Sequence, residues 1–174
     1  CGSWYLDEYS DNIAPTHSRH AFYAQTRSGK HNIPSGPQQY GWIGWNFVRA
    51  INVGLDHYYG ADIPAETINK YAAEAKLFRG WFYGDKVSKF GDVPWVGHEL
   101  NIDSEELFAG RTSREQAMDS VLADLTFACA NLPANWGDGG APGRLNRWAA
   151  LLIKSRICLF EGTWRKYHGG SNAD

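Results

Sequence analysis

The sequence has no long run of one charge. Its 17 Lys and Arg against 19 Asp and Glu leave a net charge of -2 over 174 residues. Nucleic-acid binding usually announces itself as a basic patch or stripe, and nothing here makes an electrostatic case for it. Cysteine is scarce as well: Cys1, Cys129 and Cys158 form no Cys-x-x-Cys and no Cys/His cluster with zinc spacing. Cys129 and Cys158 fall in apolar helical stretches and read as small buried hydrophobes. No apolar run approaches the length of a membrane-spanning helix. There is no phosphate loop, no dinucleotide-binding glycine fingerprint, no nucleophile elbow and no His-Glu-x-x-His. Nothing calls for a cofactor or a metal.

What the sequence has in excess is aromatic rings, 14% of residues, including eight Trp and nine Tyr. Two readings compete. Rings fill gaps between packed helices, and rings left exposed offer flat platforms on which the C–H faces of sugars can lie. The count does not separate them.

Residues 1–36 are rich in Ser, His, Asn, Gly and Pro and show no period, so they read as irregular. Such length in a loop points to function or to packing against something else. The pattern turns helical from Gln38, after Pro37, with an apolar stripe of Ile43, Phe47, Ile51, Leu55 and Tyr58 and a stop at Gly60. Gly41, Gly44 and Gly54 weaken this helix, by roughly 1 kcal/mol each relative to Ala. A second helix is predicted from Pro64 to Phe90, with the stripe Ile68, Tyr71, Ala75, Phe78 and Phe82. Gly91 ends it and Pro94 blocks its resumption.

After a connection over 91–111, Thr112-Ser113-Arg114-Glu115 fits a capping box. Met118, Val121, Leu125, Ala128 and Leu132 then mark one face, and Pro133 closes the helix. A glycine-rich loop, 135–143, leads to a fourth helix from Asn146 to about Tyr167. Its stripe is Trp148, Leu152, Ser155 and Leu159, widened by Leu151 and Cys158. A face that broad suggests packing on more than one side.

The expected fold is therefore all-α, about four long helices paired as antiparallel hairpins with long irregular loops. The spacing is too uneven for a plain tetratricopeptide array of about 34 residues. Residues 1–44 form an irregular segment and residues 45–174 the helical scaffold. Together they read as one incomplete domain within a larger α-rich one.

Glycoside hydrolysis needs two carboxyl groups flanking a sugar. Asp7, Glu8, Asp11, Asp92, Asp103, Glu105, Glu106 and Asp138 lie in predicted loops, but nothing marks out a pair. Glu74 with Arg79, and Asp124 with Arg156, sit in or beside the helical stripes and read as ties between helices.

Residues 73–96, AEAKLFRGWFYGDKVSKFGDVPWV, resemble the signature of the SusD/RagB-like family of starch-utilisation-type lipoproteins. Glu74, Ala75, Arg79, Tyr83 and the run Phe90 to Pro94 are the matching positions. Three more blocks follow the family's order: WNFVRAINVGL at 45–55, RTSREQAMDSVLADLTFACANLP at 111–133, and GRLNRWAALLIKSRICLFEGTWRKYH at 143–168. The resemblance covers residues 45–168 and hardly extends to 1–44.

This resemblance implies a scaffold of tetratricopeptide-like hairpins and a non-catalytic protein that captures oligosaccharides, or in some members peptides. It implies a lipid anchor at the cell-surface side of the outer membrane and a TonB-dependent SusC-like transporter as partner. It also implies that this chain is the N-terminal portion of a longer protein. The family draws part of its glycan site from the loop before the helix at 45–58, here about 12–42, which holds His17, Arg19, His20 and Asn32 among others. From chemistry and location, Tyr23, Arg27, Tyr40 and Trp42 are the candidate ligand contacts, with Trp95 and Trp136 as rivals. Two further readings stay open: a helical-repeat module that binds only protein, and an α-helical glycoside hydrolase with paired loop carboxyl groups.

Overall fold

The computed structural model describes residues 28–30, 41–137 and 143–169. The chain divides into two compact units, Cys1–Gln39 and Tyr40–Asp174, and the fold below is that of the second. It is helical: α1 (Trp45–Tyr58), α2 (Ala65–Phe90), α3 (Arg114–Asn131) and α4 (Arg147–His168), with a short 3-10 turn, Glu105–Phe108, between α2 and α3. Among the described residues there is no strand, only an isolated antiparallel bridge between Val93 and Thr112. No described helix is long and apolar enough to cross a membrane.

The helices pack in chain order, α1 on α2, α2 on α3 and α3 on α4. α2 is the axis of this stack. Its buried positions include Ala72, Ala73, Leu77, Gly80, Tyr83, Gly84 and Val87, and the small ones let its neighbours approach closely. A Cβ added at Gly80 would stand 3.0 Å from Leu125 of α3, and one at Gly84 2.8 Å from Ile157 of α4. α3 buries the predicted face, Met118, Val121, Leu125, Ala128 and Leu132.

Two helix starts differ from the sequence expectation. α1 begins at Trp45 rather than Gln38, because Gly41 and Gly44 adopt left-handed backbone, φ 83° and 87°, which a right-handed helix cannot contain. Those two glycines therefore cost α1 nothing. At α3 the cap is Ser113, whose hydroxyl accepts the Gln116 N–H. The Thr112 hydroxyl instead accepts the Trp95 N–H at 3.1 Å. At α4 the Asn146 side chain accepts the Ala149 N–H at 3.1 Å, and Gly169, at φ 78°, ends the helix.

The predicted stripes of α1, α2 and α4 do not all face the core. α1 buries Val48, Asn52 and Leu55, while Ile43, Phe47 and Tyr58 are exposed. On α2, Tyr71 and Phe78 are exposed. On α4, Trp148, Leu151, Leu152 and Leu159 face outward, Leu159 with 73% of its surface accessible, and the buried residues are Ala150, Glu161 and Arg165.

A buried polar node replaces part of the core. The Arg79 guanidinium donates to both Asp124 oxygens, Nε to Oδ2 at 2.6 Å and Nη2 to Oδ1 at 2.9 Å. Its Nη1 donates to Asn52 Oδ1 and to the Gly97 carbonyl, both at 2.7 Å. One side chain thus ties α1, α2, α3 and the 91–113 connection. The helix-tie role expected for the arginines holds for Arg79, with a different partner, whereas Arg156 makes no such tie among the described residues. Glu74 pairs with Arg144, not Arg79, because residues five apart on a helix point to different faces. Asp124 pairs with Arg79 and Lys76, and Arg156 is exposed. A second network joins α3 to α4: Arg114 and Arg165 both donate to Glu161, and Arg165 also reaches Asp119 at 2.9 Å.

Candidate functional site

The exposed parts of the α1 and α2 stripes meet across an open groove of about 620 Å3. Steps of three and four residues align Tyr71, Glu74, Ala75, Phe78, Phe82 and Asp85 on one face of α2. Phe47, Ile51 and Tyr58 of α1 form the opposite wall. These are largely the side chains that the sequence period assigns to a packing face. Here five rings, Phe47, Tyr58, Tyr71, Phe78 and Trp81, keep a large share of their surface in solvent.

Both carboxylates on the groove are held by cations. Arg144 grips Glu74 with two parallel hydrogen bonds, Nε to Oε1 at 2.9 Å and Nη2 to Oε2 at 2.7 Å. Asp85 pairs with Lys89 one turn on, at 2.8 Å. A bidentate arginine occupies the lone pairs of its carboxylate, so Glu74 is placed to hold a helix and a loop together. The groove offers ring faces and methyl groups with few polar groups, which suits recognition by stacking.

The candidate contacts before α1 divide by position. Tyr23, Arg27 and Tyr40 lie outside the described residues, as do His17, Arg19, His20 and Asn32. Trp42 is half-buried. Its ring packs against Trp45 and edge-on against Phe90, with centroids 4.8 Å away in both cases, and the Arg111 guanidinium lies over it at 5.4 Å. The turn that carries Trp42 is anchored by Lys86, whose Nζ donates to the Gly41 carbonyl. Burial is the largest influence on that ammonium and lowers its pKa below the usual lysine range, with Asp85 acting against the shift.

Both rival tryptophans are built into the scaffold. Trp95 lies 4.3 Å from the Tyr83 ring, with Arg79 over its face at 5.4 Å. Tyr83 is fully buried and its hydroxyl accepts the Val96 N–H at 2.9 Å. Burial pushes the Tyr83 phenol up to about 12, although the Val96 hydrogen bond works the other way. Trp136 donates through Nε1 to the Leu145 carbonyl at 2.7 Å and carries the Arg144 guanidinium 3.5 Å above its ring. Trp136, Arg144 and Glu74 thus form one clasp between α2 and the start of α4.

Of the loop acids considered for catalysis, Asp7, Glu8, Asp11 and Asp138 lie outside the described residues. Asp92 accepts the Arg114 N–H at 2.8 Å and so serves the start of α3. Asp103, Glu105 and Glu106 stand exposed on the connection. Among the described residues, no group of three His, Cys, Asp or Glu could hold a metal ion. The sequence did not single out the 97–110 connection or the groove. The groove's signal was present, as apolar periodicity, but periodicity does not say whether a partner face exists.

No family model matches the chain. Its sequence is 29% identical over 115 residues to the SusD-like protein P25 of Formosa agariphila, a match covering 66% of this chain and 21% of that protein. It is 27% identical over 130 residues to the SusD-like protein P2 of the same organism, covering 75% and 24%. The chain thus spans between a fifth and a quarter of these curated relatives. Among solved structures it resembles a laminarin-binding SusD-like protein, with TM-score 0.73 and 22% identity over 93% of this chain and 35% of that one. It also resembles a SusD-like protein from Bacteroides fragilis, with TM-score 0.68 and 20% identity over 85% and 29%. A third is surface glycan-binding protein A from Bacteroides uniformis, with TM-score 0.66 and 16% identity over 95% and 38%.

Proposed function

We propose that this chain, SusD-like in sequence and in fold, is part of a non-catalytic surface protein that captures oligosaccharides and passes them to a TonB-dependent outer-membrane transporter. The observation that carries the reading is the sequence likeness to SusD-like proteins over 115 to 130 residues of this chain. Support also comes from solved relatives of the same fold whose names describe glycan or laminarin binding. The chemistry agrees. The described acids on the groove are tied to cations rather than poised as a pair, and exposed rings provide stacking faces.

In this reading the whole protein is held on the cell-surface side of the outer membrane by a lipid. Tyr23, Arg27, Tyr40 and Trp42 contribute to the glycan site, rings stacking on sugar faces and the guanidinium bonding hydroxyls.

Calorimetry of the full-length protein against a panel of oligosaccharides tests the reading. Binding of at least one glycan, weakened by Tyr23→Ala and Arg27→Ala, is expected. Binding of peptides and no glycan would overturn the choice of ligand and leave the family untouched. Release of reducing ends from any glycan would overturn the non-catalytic assignment. Co-purification with a TonB-dependent transporter after detergent extraction tests the partner.

A further inference from the structure

The connection between α2 and α3 is long but not loose. Its neck is the bridge of Val93 and Thr112, with two backbone hydrogen bonds of 3.2 and 3.0 Å. The stretch that follows is strapped to α1. Asn52 Nδ2 donates to the carbonyls of Val96 and His98 at 2.9 and 3.0 Å. Arg49 donates to Glu99 Oε1 at 2.9 Å and to the Leu100 carbonyl. Asp56 accepts the Glu99 N–H at 2.7 Å. Beyond it, Asn101 and Ser104 close a turn on each other, and the 3-10 turn Glu105–Phe108 follows.

On this pinned backbone, Ile102 and Phe108 are each 88% exposed and Leu107 is half-exposed. Between residues 99 and 110 stand four carboxylates, Glu99, Asp103, Glu105 and Glu106, and no lysine or arginine. Glu99 is paired with Arg49 and Glu106 lies 3.5 Å from His98. Asp103 and Glu105 make no ion pair among the described residues. The stretch is tied at its base, through residues 93–99 and 112, and carries its large apolar groups in solvent with carboxylates interleaved among them in the sequence.

We propose that residues 99–109 form a docking knob for a second protein that offers an apolar socket rimmed by lysine or arginine. Apolar anchors ringed by charge are the usual anatomy of a recognition patch, and the rim charge selects the partner and steers the encounter. The carboxylates disfavour an anionic lipid surface, which attracts basic segments. The inference is independent of which ligand the protein carries.

The test places the photocrosslinker p-benzoylphenylalanine at Phe108 of the full-length protein, in the cells that make it, and identifies the crosslinked peptide by mass spectrometry. The expected product joins residue 108 to an apolar residue of a different polypeptide with lysine or arginine within a few positions or across the contact. The crosslink should disappear when Glu105→Lys and Glu106→Lys are added. Circular dichroism and melting should be unchanged in both forms, because these side chains lie in solvent. Crosslinks to lipid, crosslinks only within the same chain, no crosslink, or a product indifferent to the charge reversal would each overturn the proposal.

Discussion

A buried guanidinium is tolerable only when its donors are satisfied, and Arg79 meets that condition with partners from α1, α3 and the connection. Removing a partner is therefore more damaging than the pair's net worth suggests. Asp124→Ala leaves an uncompensated charge in the interior and should cost about 3–5 kcal/mol in urea denaturation. Arg49→Ala, at the exposed end of the pair with Glu99, should cost less than about 1 kcal/mol. Tyr83 gives a second residue-level prediction. Its phenol rises from 10.0 to about 12 because burial disfavours the phenolate. The folded state therefore holds this proton more tightly than the unfolded state does. The associated stability is fully present below pH 10 and is lost as pH rises through 12, on the order of 2–3 kcal/mol in all. Tyr83→Phe should lower stability near neutrality by about 1 kcal/mol, since the Val96 N–H loses its acceptor. It should also flatten the alkaline branch relative to the parent chain in a pH series of melts.

Helix packing sets the next scale. Gly80 and Gly84 occupy the interior of α2, where alanine would favour the helix by about 1 kcal/mol. At Gly80 the new methyl meets Leu125 at 3.0 Å through both Cγ and Cδ2, with Leu125 fully enclosed. Gly80→Ala should therefore destabilise, by about 1 kcal/mol net after an overpacking cost of about 1–3 kcal/mol. At Gly84 the close atom is the terminal Cδ1 of Ile157, a half-buried side chain able to rotate, and Gly84→Ala should be nearly neutral in thermal melts. What the sequence made legible at this scale were the punctuation marks. Pro64, Gly91, Pro133 and Asn146 bound helices because their constraint is local: a missing N–H, a left-handed backbone, a capping side chain. The face of α3 was legible because it is buried along its whole length. The faces of α1 and α2 were not, because apolar periodicity is the same for a wall of the core and a wall of an open groove. The Arg144–Glu74 clasp was illegible for a related reason, since nothing in residue 74 points to residue 144. Of the candidate contacts, Trp42 stands on a turn before α1 rather than inside a helix starting at Gln38, and its packing on Trp45 and Phe90 depends on how that turn meets α2.

In the helical unit as a whole, apolar surface is distributed unevenly. The outer side of α4 carries Trp148, Leu152, Leu159 and Phe160 in solvent, whereas a helix that ends a repeat stack usually turns a polar side outward. Patches of this kind mark interfaces or aggregation liabilities. The 174-residue chain on its own should bind an apolar dye such as ANS, and Leu152→Glu with Leu159→Glu should reduce dye binding without lowering the melting temperature. Unchanged dye binding would locate the exposed surface elsewhere. The neck between Val93 and Thr112 has a consequence of another kind. It brings the two ends of the connection side by side, so the stretch beyond Leu100 behaves as a cassette. Its sequence can be exchanged, lengthened or shortened while the hydrogen bonds that Asn52 and Arg79 donate to residues 96–98, and the one that Tyr83 accepts from Val96, keep the helices in register. Divergence in what this face recognises can accumulate there at little risk to folding.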